Sequence, residues 1–313
     1  MERYILKRVL SVIPVLLVVA VVVFALIHLT AGDPAGIMLG DNATPEDIAR
    51  LRAELGLDRP LITQFWIWFR NLLRGDLGDS IFLHRPVLQA IIERAEPTLM
   101  LTAMSLLVAV LIGVPTGVIS AVKRNTWVDR LFLTTGLLGA SIPSFWLGLG
   151  LIYVFAVNLA KLPSAGYQPI ADGVWGCLRY LILPSLALGF PNSALITRIT
   201  RSSMLDVLDQ DHVRVARAKG LSVNKVVLKH ALRNALVPIL TVVGLTFATL
   251  MGGAVVTETV FNIPGVGRLV VQSVTRRDYP VIQGIVLVIA SLYVFINLVV
   301  DVLYTVVDPR IKY

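Results

Sequence analysis

The chain has 313 residues, of which 56% are hydrophobic and only 15% are charged, so it lacks the polar side chains that a water-soluble globule of this length needs. Several uncharged runs are longer than the roughly 18 residues that indicate a membrane-spanning helix. The formal net charge of +8 is concentrated between these runs, which argues against a nucleic-acid surface, and the single Cys177 excludes an internal disulfide. The composition therefore predicts an integral membrane protein.

Six uncharged apolar runs predict an all-α, polytopic protein with six transmembrane helices. The runs cover residues 9–29, 97–122, 131–160, 180–197, 234–257 and 279–300. The first follows Arg3, Lys7 and Arg8, as a signal peptide would, but its length of about 21 residues and its lack of an A-x-A-like cleavage site favour an uncleaved anchor. The predicted divisions are an N-terminus with the first span (1–30), an insertion (31–96), a transmembrane core (97–307) and a tail (308–313).

Basic residues flank the predicted spans mainly on one side of the membrane. That side receives the N-terminus, the second-to-third loop with Lys123 and Arg124, a fourth-to-fifth loop with eight basic residues, and the tail with Arg310. By the positive-inside rule it is the cytoplasm, so both termini are predicted to be cytoplasmic. The insertion has ten acidic and seven basic residues and is predicted to lie outside, together with the loops near 161–178 and 258–278.

The insertion carries the sequence punctuation of two helices. Thr44 can cap a helix that begins at Pro45, has Asp47 three residues after the cap and ends at Gly56. A second helix is predicted from about residue 60 to residue 74. Its apolar and aromatic residues favour a helix along the outer membrane surface, where it either packs over the bundle or contacts a partner.

The loop between the fourth and fifth spans, at about 200–233, is longer than a simple connection requires and contains residues that typically start and end helices. The part before Gly220 is helix-compatible, Gly220 can adopt the left-handed conformation that ends a helix, and Ser222 can cap the next helix. Two short helices joined by a tight turn are predicted, with Arg214 and Arg217 on one face. The basic residues alone are equally explained by the general enrichment of cytoplasmic loops in Lys and Arg. That enrichment does not explain the residues that start and end helices.

The sequence contains no energy source for uphill transport. It has no G-x-x-x-x-G-K-[ST] loop for nucleotide phosphates, and its predicted spans hold no Asp, Glu, Lys or Arg at mid-depth, where an ion-coupled carrier places them. Glu258 and Asp301 lie near span ends, where a structural or interfacial role is favoured over a proton relay. No G-x-S-x-G motif indicates a hydrolase, and the four histidines lack metal-ligand spacing. The chain is therefore predicted not to be an enzyme and to bind no metal or cofactor. The energy for transport is predicted to come from a separate protein.

Polar side chains within the predicted spans are candidates for a hydrated pathway. These candidates are Ser144, Asn192, Ser193, Thr246 and Thr249. Three prolines, Pro143, Pro184 and Pro191, can kink spans three and four. Three glycine pairs permit close helix approach: Gly113 with Gly117, Gly148 with Gly150, and Gly252 with Gly253. Such glycines and prolines are more often packing devices than substrate contacts.

Short motifs in a fixed order resemble those of the permease subunits of dipeptide, oligopeptide, nickel and glutathione ABC importers along nearly the whole chain. They are Arg3-Tyr4-Ile5-Leu6-Lys7-Arg8, Gly32-Asp33-Pro34, Leu55-Gly56-Leu57-Asp58, Gly75-Asp76-Leu77-Gly78, Ala216-Arg217-Ala218-Lys219-Gly220, Thr257-Glu258, the run from Val260 to Arg268, Arg277-Asp278-Tyr279-Pro280 and Asp308-Pro309-Arg310. The general importer loop motif is E-A-A followed by Gly. Aligned on Gly220, it has Arg214 and Val215 in place of the glutamate and first alanine, a departure that matches the peptide-type branch.

This resemblance implies a type I ABC importer permease in the bacterial cytoplasmic (inner) membrane, forming half of a pathway for di- or oligopeptides. The implied partners are a second homologous permease, ATP-binding-cassette ATPases that hold ATP and Mg, and an extracytoplasmic peptide-binding protein. Within the family, a nickel or glutathione permease is an alternative. Outside it, the alternatives are an ATP-independent carrier or channel, and a scaffold whose loop binds another cytoplasmic protein.

The resemblance also implies two groups of contact residues. The fourth-to-fifth loop would couple to the ATPase through Arg214, Ala216, Arg217, Ala218, Lys219, Gly220 and Leu221. The outer loop at 258–278 would face the binding protein through Phe261, Asn262, Pro264, Gly265, Gly267 and Arg268.

Overall fold

The structure is a computed structural model that describes residues 2–29, 34–39, 44–54 and 56–307. Its α-helices are α1 (Glu2–Leu29), α2 (Pro34–Leu39), α3 (Pro45–Glu54), α4 (Leu61–Leu73), α5 (Val87–Val122), α6 (Trp127–Ser141), α7 (Ser144–Leu151), α8 (Val174–Leu208), α9 (Asp211–Ala218), α10 (Val223–Lys225), α11 (Arg233–Val260), α12 (Val266–Thr275) and α13 (Tyr279–Val307). Two π-helical segments, Ile152–Asn158 and Val226–Leu232, and a 3-10 turn at Ile170–Asp172 complete the helical elements. The mainly helical fold confirms the prediction from the sequence.

Within the described residues, one short hairpin with two residues in each strand departs from the all-α prediction. Strands β1 (Asp79–Ser80) and β2 (Arg85–Pro86) pair antiparallel, with Ser80 opposite Arg85. Strands this short have no alternating apolar pattern, which is why the sequence does not reveal them. Of the motifs named above, residues 32–33, 55 and 308–310 lie outside the described part of the chain.

Among the described residues, four helical stretches are long and apolar enough to cross a membrane. They are Val87–Val122, Val174–Leu208, Val223–Val260 and Tyr279–Val300. The bent pair of Trp127–Ser141 and Ser144–Asn158 makes up to a fifth span, and α1 contributes a shorter apolar stretch, Leu10–Leu26. The number of six spans therefore remains a prediction. It requires that α1 and the bent pair each cross the membrane once.

The predicted third span is not straight. Its two helices meet at an angle of 97°. Ile142 is extended, with φ −84° and ψ 124°, and Pro143 follows with φ −61° and ψ 134°. A proline disfavours the helical conformation at the residue before it and donates no backbone hydrogen bond, so α6 ends here. Pro184 and Pro191, by contrast, lie inside α8 without ending it.

The described residues form two compact units. One takes the chain up to Ala95 together with Arg268–Phe295, and the other takes Glu96–Gly267 together with the residues from Ile296 onward. In the first unit, α4 packs against α1, and Ala20, Val23 and Leu287 are buried at their contact.

Helix α3, the first of the two helices predicted in the insertion, has the predicted ends. Thr44 Oγ1 accepts a hydrogen bond from Asp47 N at 3.2 Å and donates one to Asp47 Oδ2 at 2.6 Å. The Thr44 hydroxyl therefore lowers the pKa of the exposed Asp47 carboxyl. At the other end Gly56 has φ +65°, and Leu57 N donates to Arg52 O at 2.9 Å, which closes the helix. Both predicted boundaries are confirmed.

In the second unit, α6, α7 and α11 all pack against α8. Helix α5 approaches α8 closely at two of its glycines: a Cβ on Gly113 would lie 2.7 Å from Ile196 Cβ, and one on Gly117 would lie 2.6 Å from Thr200 Cβ. Gly148 and Gly253 also face close neighbours, whereas Gly150 and Gly252 have none within 4 Å. The prediction of close approach thus holds for both members of the first pair and one member of each other pair.

Candidate coupling helix and outer turn

The helix that follows the fourth span, α9, is anchored on the protein by one face. Val213 and Ala216, three residues apart, are buried. They belong to an apolar cluster with residues from the ends of α5 and α8 and from the π-helical segment, among them Ala121, Met204 and Val227. The spacing of three brings the two side chains to the same side of the helix, so α9 is held along its length.

The opposite face of α9 is exposed and basic. Arg214, Val215, Arg217 and Ala218 are all accessible, and Lys219 follows at the helix end. Arg214 Nη1 lies 3.6 Å from Asp211 Oδ1. Both side chains are exposed, so the guanidinium stays accessible to a partner protein. The predicted shared face of Arg214 and Arg217 is thus presented outward.

Gly220 ends α9 in the predicted conformation. Its φ is +74°, its N–H donates to Arg217 O at 2.9 Å, and Leu221 N donates to Ala216 O at 3.4 Å. A Cβ on Gly220 would meet nothing within 4 Å, so the demand for glycine is conformational and not steric.

Two details of the predicted loop are corrected. The helical pattern before Gly220 is interrupted, because α8 ends at Leu208 and Gln210 is extended before α9 begins. The second predicted short helix is instead the start of the fifth span, since Val223–Val260 is one continuous helical stretch. Ser222 lies at its N-cap position but makes no capping hydrogen bond with its side chain. The loop therefore contains one short helix.

A buried ion pair joins the beginning of α6 to α8. Asp129 accepts hydrogen bonds from Arg201 Nε at 2.7 Å and Nη2 at 2.8 Å, from Asn125 N at 2.9 Å, and from Ser120 Oγ. Four donors satisfy both carboxylate oxygens, which stabilises a charge that is only 3% exposed. The pair ties α5, α6 and α8 together near the start of α9.

On the opposite side of the second unit, the residues after α11 form a tight turn. Asn262 has φ +52° and Ile263 N donates to Glu258 O at 2.8 Å, which ends the helix. Val266 N donates to Thr98 Oγ1 at 2.8 Å, and that hydroxyl donates to Glu258 Oε1 at 2.5 Å. Glu258 is completely buried and has the structural role favoured from the sequence.

The glycines of this turn make room for the Glu258 carboxylate. A Cβ on Gly265 would lie 2.3 Å from Glu258 Cδ, and one on Gly267 would lie 2.7 Å from Val255 Cα. Phe261 fills the apolar cluster beneath, with Leu101 and Leu250. Of the residues predicted to face a binding protein, Asn262 and Pro264 are exposed and Arg268 is half-buried, while Phe261, Gly265 and Gly267 support the turn from below.

A neighbouring loop is fastened to the same turn. Gly166 N donates to Phe261 O at 2.8 Å, and the next residue, Tyr167, donates to Glu96 Oε1 at 2.8 Å. Burial and this hydrogen bond raise the pKa of Tyr167, so the phenol remains a donor. The two loops therefore present one ordered surface.

The five pathway candidates differ in burial. Ser193 and Thr246 are buried and bond to carbonyls of their own helices, Phe190 O at 2.7 Å and Val242 O at 2.7 Å. Thr249 is exposed, and Ser144 and Asn192 are half-buried. Their assignment to a pathway remains a prediction.

Sequence reasoning missed the polar pairs that hold both sites. Asp129 and Arg201 are 72 residues apart, and Thr98 and Glu258 are 160 apart. The available signal was the occurrence of a carboxylate and a guanidinium at the ends of otherwise apolar spans, where an unpaired charge is costly.

Two family models together match almost the whole chain. Residues 113–313 match the inner membrane component of binding-protein-dependent transport systems, and residues 1–102 match the N-terminal part of the membrane components of such systems. The chain belongs to this permease family. The permease is thus the membrane subunit of an ABC transporter, and ATP hydrolysis is the work of separate subunits.

The permease has full-length relatives. It is 47% identical over 313 residues to a probable peptide ABC transporter permease of Sinorhizobium fredii, covering 100% of both chains. It is 50% identical over 313 residues to the glutathione transport system permease protein of Salmonella typhimurium, again covering 100% of both.

The fold of the permease also occurs in a solved transporter. An inward-facing structure of the methionine ABC transporter MetNI matches with a TM-score of 0.57 and 22% identity, covering 69% of this chain and 95% of that one. This likeness concerns the fold alone.

Proposed function

We propose that this permease forms half of the translocation pathway of an ATP-driven importer of short peptides, and that α9 is the element through which an ATPase moves it. The observation that carries the proposal is the two-sided construction of α9. Val213 and Ala216 fix one face to the membrane helices, while Arg214 and Arg217 are exposed on the other. A helix held in this way transmits a push as a rigid body.

The coupling residues are Arg214, Arg217, Ala218 and Lys219, with Ala216, Gly220 and Leu221 holding the helix and its turn. A groove on an ATPase that receives this face would carry acidic or polar side chains opposite Arg214 and Arg217, because guanidinium groups pair best with carboxylates. ATP and Mg belong to that ATPase. A second, homologous permease would complete the pathway.

The turn at 261–267 is the proposed contact for an extracytoplasmic binding protein. Asn262 and Pro264 project from it, and Glu258 and Thr98 fix it from below. We propose that α9 and both chain termini lie on the cytoplasmic side of a bacterial inner membrane, an orientation that the distribution of basic residues supports.

Sidedness can be tested with single cysteines in intact cells. A cysteine at Asn262 should react with a membrane-impermeant maleimide from outside, and a cysteine at Lys219 should react only after permeabilisation. The reverse labelling pattern would reject the orientation. Cys177 is completely buried and serves as the internal negative control.

Peptide cargo is proposed from the two relatives, one named for peptides and the other for glutathione, itself a tripeptide. The test is a reconstituted complex of this permease with its partner permease, ATPases and binding protein. ATP hydrolysis should rise with di- or tripeptides and not with nickel ions. Stimulation by nickel alone would replace the peptide cargo with a metal and leave the coupling role of α9 intact.

A further inference from the structure

Helix α4 has three distinct faces, and only one of them is covered by the described protein. Phe65, Trp68 and Leu72 turn toward the first unit, where the Phe65 and Trp68 rings lie 5.3 and 5.7 Å from the ring of Phe24. A second stripe is apolar and bare: Ile62, Trp66 and Leu73 are 74%, 62% and 73% exposed. At about 100° per residue these three side chains lie within roughly 40° of one another around the helix.

The third face of α4 is mainly polar. It carries Thr63, Gln64, Arg70 and Asn71, with Ile67 the apolar member among them. Gln64 bonds to the carbonyl oxygens of Leu57 at 3.3 Å and Arg59 at 2.7 Å, which fixes the rotation of the helix about its axis. The bare apolar stripe lies between the covered face and this polar face. A helix that lies flat at the edge of a bilayer, beside spanning helices, has this order of faces.

The contacts of α4 set its depth along the first span. Helix α1 ends at Leu29, and the α4 contacts fall on its residues 20–24, five to nine residues earlier. At 1.5 Å per residue this is about 8–14 Å below the end of α1. Helix α13 gives a similar contact depth independently. It begins at Tyr279 and contributes Val286 and Leu287 to the same apolar cluster, about 11–12 Å along its axis.

That distance reaches past the headgroups. The N-terminal turns of α1 carry Arg3, Lys7 and Arg8, so the part of α1 that matches a hydrocarbon core of about 30 Å is its uncharged run at 9–29, which is about 32 Å long. The contacts of α4 therefore lie about 8–14 Å inside the hydrocarbon. From this depth and the order of its faces, we propose that α4 is embedded in the outer leaflet, with Ile62, Trp66 and Leu73 in contact with lipid acyl chains.

The flanking charges fit a lipid surface. Arg59, Arg70 and Arg74 are exposed at the two ends and on the outer side of α4. Long basic side chains reach up from apolar surroundings to phosphate groups. The inference concerns how the insertion is anchored, and it does not depend on the cargo of the permease.

Nitroxide scanning tests the proposal. Single cysteines at 62, 66 and 73, and at the polar positions 64 and 71, are spin-labelled in a Cys177→Ala background. The full transporter is then reconstituted in vesicles of phosphatidylethanolamine and phosphatidylglycerol. Collision with oxygen, which concentrates in acyl chains, should exceed collision with a water-soluble nickel chelate several-fold at 62, 66 and 73, and the ratio should reverse at 64 and 71.

Two outcomes overturn the proposal. Equal exposure of both sets to the nickel chelate places α4 in water. Low collision with both reagents at 62, 66 and 73 shows that a protein partner covers the stripe. Because the labels report position and not transport, either result leaves the function proposed for α9 untouched.

Discussion

Asp129 and Arg201 form a bidentate ion pair, with nitrogen–oxygen distances of 2.7 and 2.8 Å, that fastens the start of α6 to α8. From Arg201, α8 continues to Leu208, and only Asp209 and Gln210 separate it from α9, which begins at Asp211. Because Ser120 of α5 joins the same carboxylate, three membrane helices are tied to the segment that carries α9. The motion that we propose for α9 would therefore reach α5 and α6 as well as α8.

Loss of the charge on Asp129 should destabilise the protein. Removing one partner of a buried pair costs roughly 3–5 kcal/mol, and we expect the lower end for Asp129→Asn because the Arg201 side chain is 21% exposed. Thermal unfolding in detergent measures the loss. The double variant Asp129→Leu with Arg201→Met should be more stable than Asp129→Asn, since it leaves no unpaired charge. A single variant that melts like the wild type would contradict the assigned role.

Charge reversal at Arg217 should uncouple transport. We expect Arg217→Glu to lower peptide uptake at least tenfold, which corresponds to about 1.4 kcal/mol, because it places a carboxylate against the surface that receives α9. Lys123→Glu is the matched control, since Lys123 is also an exposed basic residue but lies in the loop between α5 and α6 and outside α9. Uptake and ATPase co-purification are measured together. Equal effects of the two variants would show that total loop charge matters and α9 does not.

A side chain on Gly265 should disturb the outer turn. Gly265→Ala puts a methyl group 2.3 Å from Glu258 Cδ, whereas Gly252→Ala adds one with nothing within 4 Å. We expect Gly265→Ala to raise the concentration of binding protein needed for half-maximal ATPase stimulation several-fold and to leave basal hydrolysis unchanged. Gly252→Ala should behave like the wild type. If both variants keep the wild-type half-maximal concentration, the turn is not the docking site.

Helix packing around α8 should depend on Gly117. A Cβ there would lie 2.6 Å from Thr200 Cβ and 2.7 Å from Thr197 O, so Gly117→Ala forces α5 away from α8 and should cost about 1–3 kcal/mol. Gly150→Ala, with no neighbour within 4 Å, is the control and should change the melting temperature little. A similar melting temperature for both would place α5 farther from α8 than this structure does.

Local features of the fold follow from the sequence, and long-range ones do not. Thr44 and Gly56 predict the ends of α3, and Gly220 predicts the end of α9, because caps and left-handed glycines act within a few residues. The break at Pro143 is a different case: a proline in an apolar run either kinks or ends a helix, and packing decides which. The same limit applies to the buried face of α9 and to the pairing of Asp129 with Arg201.

The most direct test of the account is uptake into vesicles that contain either the complete transporter or this permease alone. The account expects accumulation of a labelled peptide only when the ATPases, the binding protein and ATP are all present, and no accumulation by the permease by itself. Accumulation of peptide against its gradient by the permease alone, without nucleotide, would contradict the claim that α9 receives its work from another protein.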